Sequence, residues 1–128
     1  MKRVRKDTIR KLYREAILQT FGCGEKDLDK DLSLSLKKDI HIAGKGPGQW
    51  VGEDGVLEIY CESGIPNASD VNEFPPMPEF GYKGGCSYNS DSWAKIDAYV
   101  NLGLKSMGRY EKVYHEPFNG AVVGVYWD

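Results

Sequence analysis

The chain lacks the features that mark many recognisable classes of protein. Its three cysteines, Cys23, Cys61 and Cys86, are too few and too scattered for a disulfide framework. We therefore expect reduced thiols and a cytoplasmic protein. No apolar run approaches the ~20 residues of a membrane helix. The first residues also lack the apolar region of a secretory signal, so no membrane contact is expected.

Residues that carry catalysis or bind metals are also scarce. The cysteines and the two histidines, His41 and His115, show no pair with the close spacing of a structural zinc site, so we expect no metal and no cofactor. One catalytic alternative is Cys86 as nucleophile with His115 as base, because a nearby imidazole lowers the pKa of a thiol. The sequence separation gives no sign that they meet. We therefore interpret His115 as structural and favour a protein without catalysis.

Helical periodicity appears in two segments. At 128 residues the chain fits one globular domain, 1–128. Apolar residues recur at three- and four-residue steps over 7–21, where Asp7 or Thr8 is the expected cap. A second helix is predicted from Ser90 or Asp91 to about Met107, and Gly108 ends it. The apolar face of the second helix consists of Trp93, Ile96, Val100, Leu104 and Met107.

Alternating apolar residues predict strands elsewhere. The leucines within 32–36 alternate with serines, and 56–61 alternates in the same way. This second segment should pair with 49–51 in a hairpin, with Gly55 taking a positive φ in the turn. Asn119-Gly120 predicts the tight turn of a hairpin between 110–118 and 121–127. Residues 63–90, rich in proline and glycine, are predicted to form a long loop. The sequence thus predicts an α+β fold, with two main helices packed on an antiparallel sheet and a C-terminal β-hairpin.

Charge is unevenly distributed along the chain. Seven of the 17 basic residues lie in the first 14 positions, where Asp7 is the only acid. Residues 53–97 instead hold nine acidic residues and two basic ones. Such polarity bears on partners and steering rather than on fold. Because Arg10, Lys11 and Arg14 fall off the apolar stripe of the first helix, we expect them to face solvent.

Our leading hypothesis is a small binding protein that occupies a surface of a partner protein, where the partner is positively charged. The predicted hairpin around residues 53–62 should supply negative charge. Glu58 and Glu62 alternate with Leu57 and Ile59, so they should lie on a solvated outer face. Tyrosines in the 63–90 loop would anchor the interface. The predicted protein-binding residues are Glu53, Asp54, Glu58, Glu62, Tyr82 and Tyr88. Such a protein fits an inhibitor of host machinery carried by a phage or a mobile element.

The alternative is an accessory protein that binds nucleic acid through the basic first helix. Several Lys and Arg side chains on phosphates would give affinity without sequence reading, and that affinity would fall steeply with salt. The predicted nucleic-acid-binding residues are Arg3, Arg5, Arg10, Lys11 and Arg14. The sequence pI of about 5.7 is low for a dedicated nucleic-acid binder, so we rank this hypothesis below the protein-binding hypothesis.

Overall fold

The computed structural model describes residues 3–22, 24–28, 30–39, 55–60, 90–117 and 122–128. These residues form helices α1 (Lys6–Phe21), α2 (Lys30–Ser35) and α3 (Ser90–Ser106), strands β1 (Val56–Tyr60), β2 (Val113–Pro117) and β3 (Val122–Trp127), and a 3-10 turn at Glu25–Asp27. The helices α1 and α3 pack on an antiparallel sheet, which confirms the predicted α+β fold. Within the described ranges, no helix has both the length and the apolarity that crossing a bilayer requires.

Helix α1 forms because its apolar residues repeat at helical spacing. Ile9, Tyr13, Ala16 and Ile17 are buried on one face. The helix starts at Lys6 with Arg5 as its N-cap and no side-chain cap, so the prediction that Asp7 or Thr8 caps it is wrong, because both lie within its first turn. Gly22 ends it in the left-handed region at φ 62°, as its position after the apolar stripe indicates.

The prediction of a strand at 32–36 is wrong, because this segment is part of α2 and the turn after it. Leu32 and Leu36 are both buried, and residues four apart lie on the same side of a helix. Leu28 is buried one helical step earlier. A leucine at every second position is compatible with either geometry over so few residues. The two four-residue steps, from Leu28 to Leu32 and from Leu32 to Leu36, were the signal for a helix.

The sheet has the strand order β1-β3-β2, so β3 is central and pairs antiparallel with both neighbours. Its inward side contributes Val123, Val125 and Trp127 to the core. In the strand register, Val125 pairs with Leu57 and Val123 with Ile59 of β1, which are also buried. The pairing of β2 with β3 confirms the C-terminal hairpin, although its Asn119-Gly120 turn lies outside the described residues. Gly55 has the predicted positive φ, 82°. The other arm of that predicted hairpin, 49–51, also lies outside them.

Helix α3 covers the core between α1 and the sheet. Trp93, Ile96, Val100 and Leu104 are fully buried, as their spacing predicts. Met107 was predicted to share this apolar face, but it lies in the turn after the helix and is exposed. The Met107 amide still donates to the Gly103 carbonyl, so Met107 belongs to the end of the last turn, beyond Leu104, the last buried residue of this face.

Candidate functional site

The basic side of α1 is not the continuous solvated surface that the sequence predicts. Arg10 is only 4% exposed, so the prediction that it faces solvent is wrong. Its Nε donates to the Ser35 carbonyl oxygen at 3.2 Å, and its other nitrogens pair with Asp7 and Asp39. Arg10 is buried because the end of α2 packs against this side of α1, a tertiary contact. Arg10 thus links the two helices and is not open to a phosphate.

The other predicted nucleic-acid-binding residues differ in their surroundings. Arg14 lies 3.7 Å from Glu25, so a carboxylate competes for its charge. Arg3 lies across Gly55, where a Cβ would be 2.2 Å from the Arg3 guanidinium. Arg5 and Lys11 are exposed. Acidic side chains therefore lie beside Arg10 and Arg14 on this basic segment.

The start of the chain is held by the turn that follows α3. The Val4 amide donates to Glu111 at 2.9 Å, and the Trp127 indole N–H donates to the Val4 carbonyl at 3.0 Å. The Arg109 guanidinium, followed by backbone donors that include Val4, lowers the pKa of Glu111 to about 2. These bonds join the first residues to both α3 and the sheet.

Glu58 was predicted on a solvated outer face, and that prediction is wrong. The residue lies on the sheet face opposite Leu57 and Ile59, as alternation predicts, but it is only 5% exposed. Alternation indicates which face a residue takes and does not indicate whether that face is covered. The other predicted protein-binding residues lie outside the described residues, namely Glu53, Asp54, Glu62, Tyr82 and Tyr88.

An aromatic pair lies on the outer face of the sheet. Tyr114 of β2 and Tyr126 of β3 are direct partners in the strand register, and their rings stack at 5.3 Å with an interplanar angle of 16°. Tyr114 is 52% exposed. Burial, then the charge of Glu116, raises the pKa of Tyr126, and the charge of Glu58 adds to this. Two tyrosines and two carboxylates therefore share one region of the sheet face.

His115 takes part in a hydrogen-bonded network that joins α1, α3 and β2. Its Nδ1 lies 2.5 Å from an oxygen of Asp97, and the Tyr13 hydroxyl donates to the other Asp97 oxygen at 2.7 Å. The histidine thus has a structural carboxylate partner. Cys86, its proposed catalytic partner, lies outside the described residues. Among the residues that the structure describes, no three His, Cys, Asp or Glu side chains are grouped to hold a metal ion.

A groove that the sequence analysis missed runs between the outer side of α3 and residues 108–112. It has a volume of about 640 Å³. Leu102 of α3 and Tyr110 line it, together with the basic residues Lys105, Arg109 and Lys112. The available signal was Leu102, a large apolar residue off the buried stripe of an amphipathic helix.

Neither the protein-family models nor the curated proteins nor the solved structures gave a match to this chain.

Proposed function

We propose that the chain is a non-catalytic binding protein that covers a positively charged surface of a partner protein. The observation that carries this proposal is the stacked pair Tyr114 and Tyr126 on the outer face of the sheet, with Glu116 beside it. The proposal retains the partner chemistry expected from the acidic middle of the sequence and uses residues that the structure describes.

The tyrosine pair suits a cationic side chain. The face of an aromatic ring attracts Lys and Arg, and a tyrosine brings a large contact area with few rotatable bonds. Because Tyr114 and Tyr126 face each other across two paired strands, their rings are held in place before a partner arrives. Little side-chain entropy would then be lost on binding.

The nearby carboxylates add charge complementarity. Glu116 lies on the same strand and the same face as Tyr114, two residues away, and is exposed. An arginine stacked on Tyr114 would bring its guanidinium within reach of this carboxylate, which gives a charge-assisted hydrogen bond. The acidic excess of residues 53–97 would add long-range attraction to the same kind of partner. A phage or mobile-element inhibitor that blocks a nucleic-acid-handling enzyme would work in this way.

The test begins with capture of the partner from the native host, followed by titration of the purified partner. We expect Tyr114→Ala and Glu116→Lys each to weaken binding by about tenfold or more, which corresponds to the loss of one well-placed aromatic or charged contact. Tyr99→Ala is the matched control, since Tyr99 is a partly exposed tyrosine on α3. Its affinity should equal that of the unaltered chain.

The same experiment separates protein binding from nucleic-acid binding. Wild-type affinity in both Tyr114→Ala and Glu116→Lys would refute the proposed surface. Capture that nuclease treatment abolishes, and that Lys11→Glu weakens while Tyr114→Ala does not, would instead support the nucleic-acid alternative. Lys11 serves here because it is exposed, whereas a change at the buried Arg10 would also disturb folding.

A further inference from the structure

The groove beside α3 exposes large apolar side chains at one place. Leu102 is 67% exposed and Tyr110 is 85% exposed, and both line the groove. Single exposed apolar residues are ordinary, but an apolar patch with a polar rim is typical of an interaction site. Covering these side chains removes apolar surface from water, which favours an occupant with an apolar side chain of its own.

The lining of the groove carries positive charge. Lys105 and Lys112 are exposed, and neither forms an ion pair with another described residue. Among the described residues of the lining, Glu111 is the only acid, and Arg109 pairs with it. The two lysines therefore give the groove its accessible charge. A ligand that carries carboxylates would complement them.

The second wall of the groove is fixed in advance. Gly108 ends α3 at φ 75°, with the Gly108 amide donating to the Lys105 carbonyl and the Arg109 amide to the Leu104 carbonyl, each at 3.0 Å. This is a Schellman ending, which sets the direction of the chain after the helix. Glu111 then fastens the wall to the Val4 amide. A preorganised wall lowers the entropy cost of binding.

We propose that this groove docks an acidic peptide segment of a partner protein. The segment places a large apolar side chain between Leu102 and Tyr110, and its carboxylates lie over Lys105 and Lys112. This surface is separate from the stacked tyrosines of the sheet and has the opposite charge preference, so the inference goes beyond the proposed function and does not depend on it.

A peptide fits the groove better than other anionic ligands. The exposed side chains leave the groove open to solvent, so it would leave much of a small molecule uncovered. A single strand of nucleic acid relies on successive aromatic platforms for its bases, and Tyr110 is the only aromatic side chain that the described part of the lining offers. A peptide combines an apolar anchor with carboxylates spaced along a flexible backbone, which matches a lining that holds both apolar and cationic side chains.

The test uses a fluorescein-labelled peptide of sequence Glu-Asp-Leu-Phe-Glu-Asp and the full chain, with anisotropy as the readout. Two matched peptides replace either the acids by lysines or the Leu-Phe pair by serines. We expect only the first peptide to bind, with an affinity that falls as salt rises. The variant Leu102→Ser and the double variant Lys105→Glu with Lys112→Glu should each weaken binding by about tenfold or more.

The controls hold net charge and folding constant. Lys38→Glu with Lys95→Glu makes the same change in net charge at exposed positions that do not line the groove, and should bind as the unaltered chain does. Tyr110→Ser repeats the apolar test at a side chain too exposed to matter for folding, and should also weaken binding. Tyr114→Ala should leave peptide binding unchanged. A negative result for the groove can therefore be told apart from a negative result for the tyrosine pair on the sheet.

Three results would overturn the proposal. The first is equal binding of the acidic and lysine peptides. The second is unchanged affinity in the groove variants. The third is groove-dependent binding of a short single-stranded oligonucleotide that is tighter than binding of the peptide.

Discussion

Gly103 of α3 lies directly against Leu12 of α1. A Cβ added at Gly103 would be 2.8 Å from the Leu12 Cδ2 atom, closer than real Cβ contacts come. The absence of a side chain at this position lets the two helices approach. Leu12 is itself buried, so it has little room to move aside.

We predict that Gly103→Ala destabilises the protein by about 1 kcal/mol, because overpacking outweighs the gain in helix propensity. Urea unfolding measures this change. The control is Ala98→Gly at an exposed position of the same helix, which reports propensity alone. Combining Gly103→Ala with Leu12→Val should recover part of the loss. If Gly103→Ala instead stabilised the protein, the close approach of Gly103 to Leu12 would not require the absence of a side chain.

The hydrogen bonds of Asp97 predict a graded pair of effects. Asp97→Ala should cost about 3 kcal/mol, because the buried Tyr13 hydroxyl and the His115 ring lose their shared carboxylate. Tyr13→Phe removes the hydroxyl with its bond and should cost about 1–2 kcal/mol. Thermal and urea unfolding give both values. Equal stability of Asp97→Ala and the unaltered chain would refute a structural role for this network.

Tyr13 also predicts how stability changes at alkaline pH. Burial, and then the adjacent Asp97 carboxylate, raises the pKa of the Tyr13 hydroxyl well above 10.0. The unfolded chain loses this proton near pH ~10 while the folded chain keeps it, so stability falls as pH rises beyond that point. Unfolding free energies from pH 9 to 11 should decline less steeply in Tyr13→Phe. Identical slopes would contradict the raised pKa.

Glu111 predicts the opposite, acid side of the stability profile. Its pKa is lowered from 4.5 to about 2 by Arg109 and by backbone donors that include the Val4 amide. The folded chain therefore holds this carboxylate ionised where the unfolded chain protonates it, and the contribution is lost as pH falls from about 4.5 to 2. In Glu111→Gln the stability profile should be flatter over that range. The amide exchange rate of Val4 should rise in the same variant.

The buried position of Arg10 predicts that this residue contributes to the stability of the fold. Arg10→Ala should cost about 2 kcal/mol or more, because the Ser35 carbonyl and two carboxylates lose their partner. Lys11→Ala, the adjacent exposed position, should change stability by less than about 0.5 kcal/mol. Chemical denaturation of both variants checks the contrast. Equal effects of the two substitutions would refute it.

The sequence was a reliable guide wherever a pattern was long. The stripe from Ile9 to Ile17 and the stripe from Trp93 to Leu104 are both buried, since each repeats often enough to distinguish a helical period from a strand. The segment 32–36 was too short for that distinction, and its alternating leucines suggested the wrong element. The candidate surfaces were less predictable, because exposure depends on what packs against a face.

The sequence by itself determined the α+β class, the two main helices, the C-terminal hairpin and the uneven charge, because these follow from local spacing and composition. Only the tertiary structure decided which charges remain accessible. It buried Arg10 beneath the end of α2, buried Glu58 on the outer face of the sheet, and left Tyr114 and Leu102 exposed. The physical reason is that periodicity sets the direction of a side chain relative to its own element, whereas burial depends on segments distant in sequence.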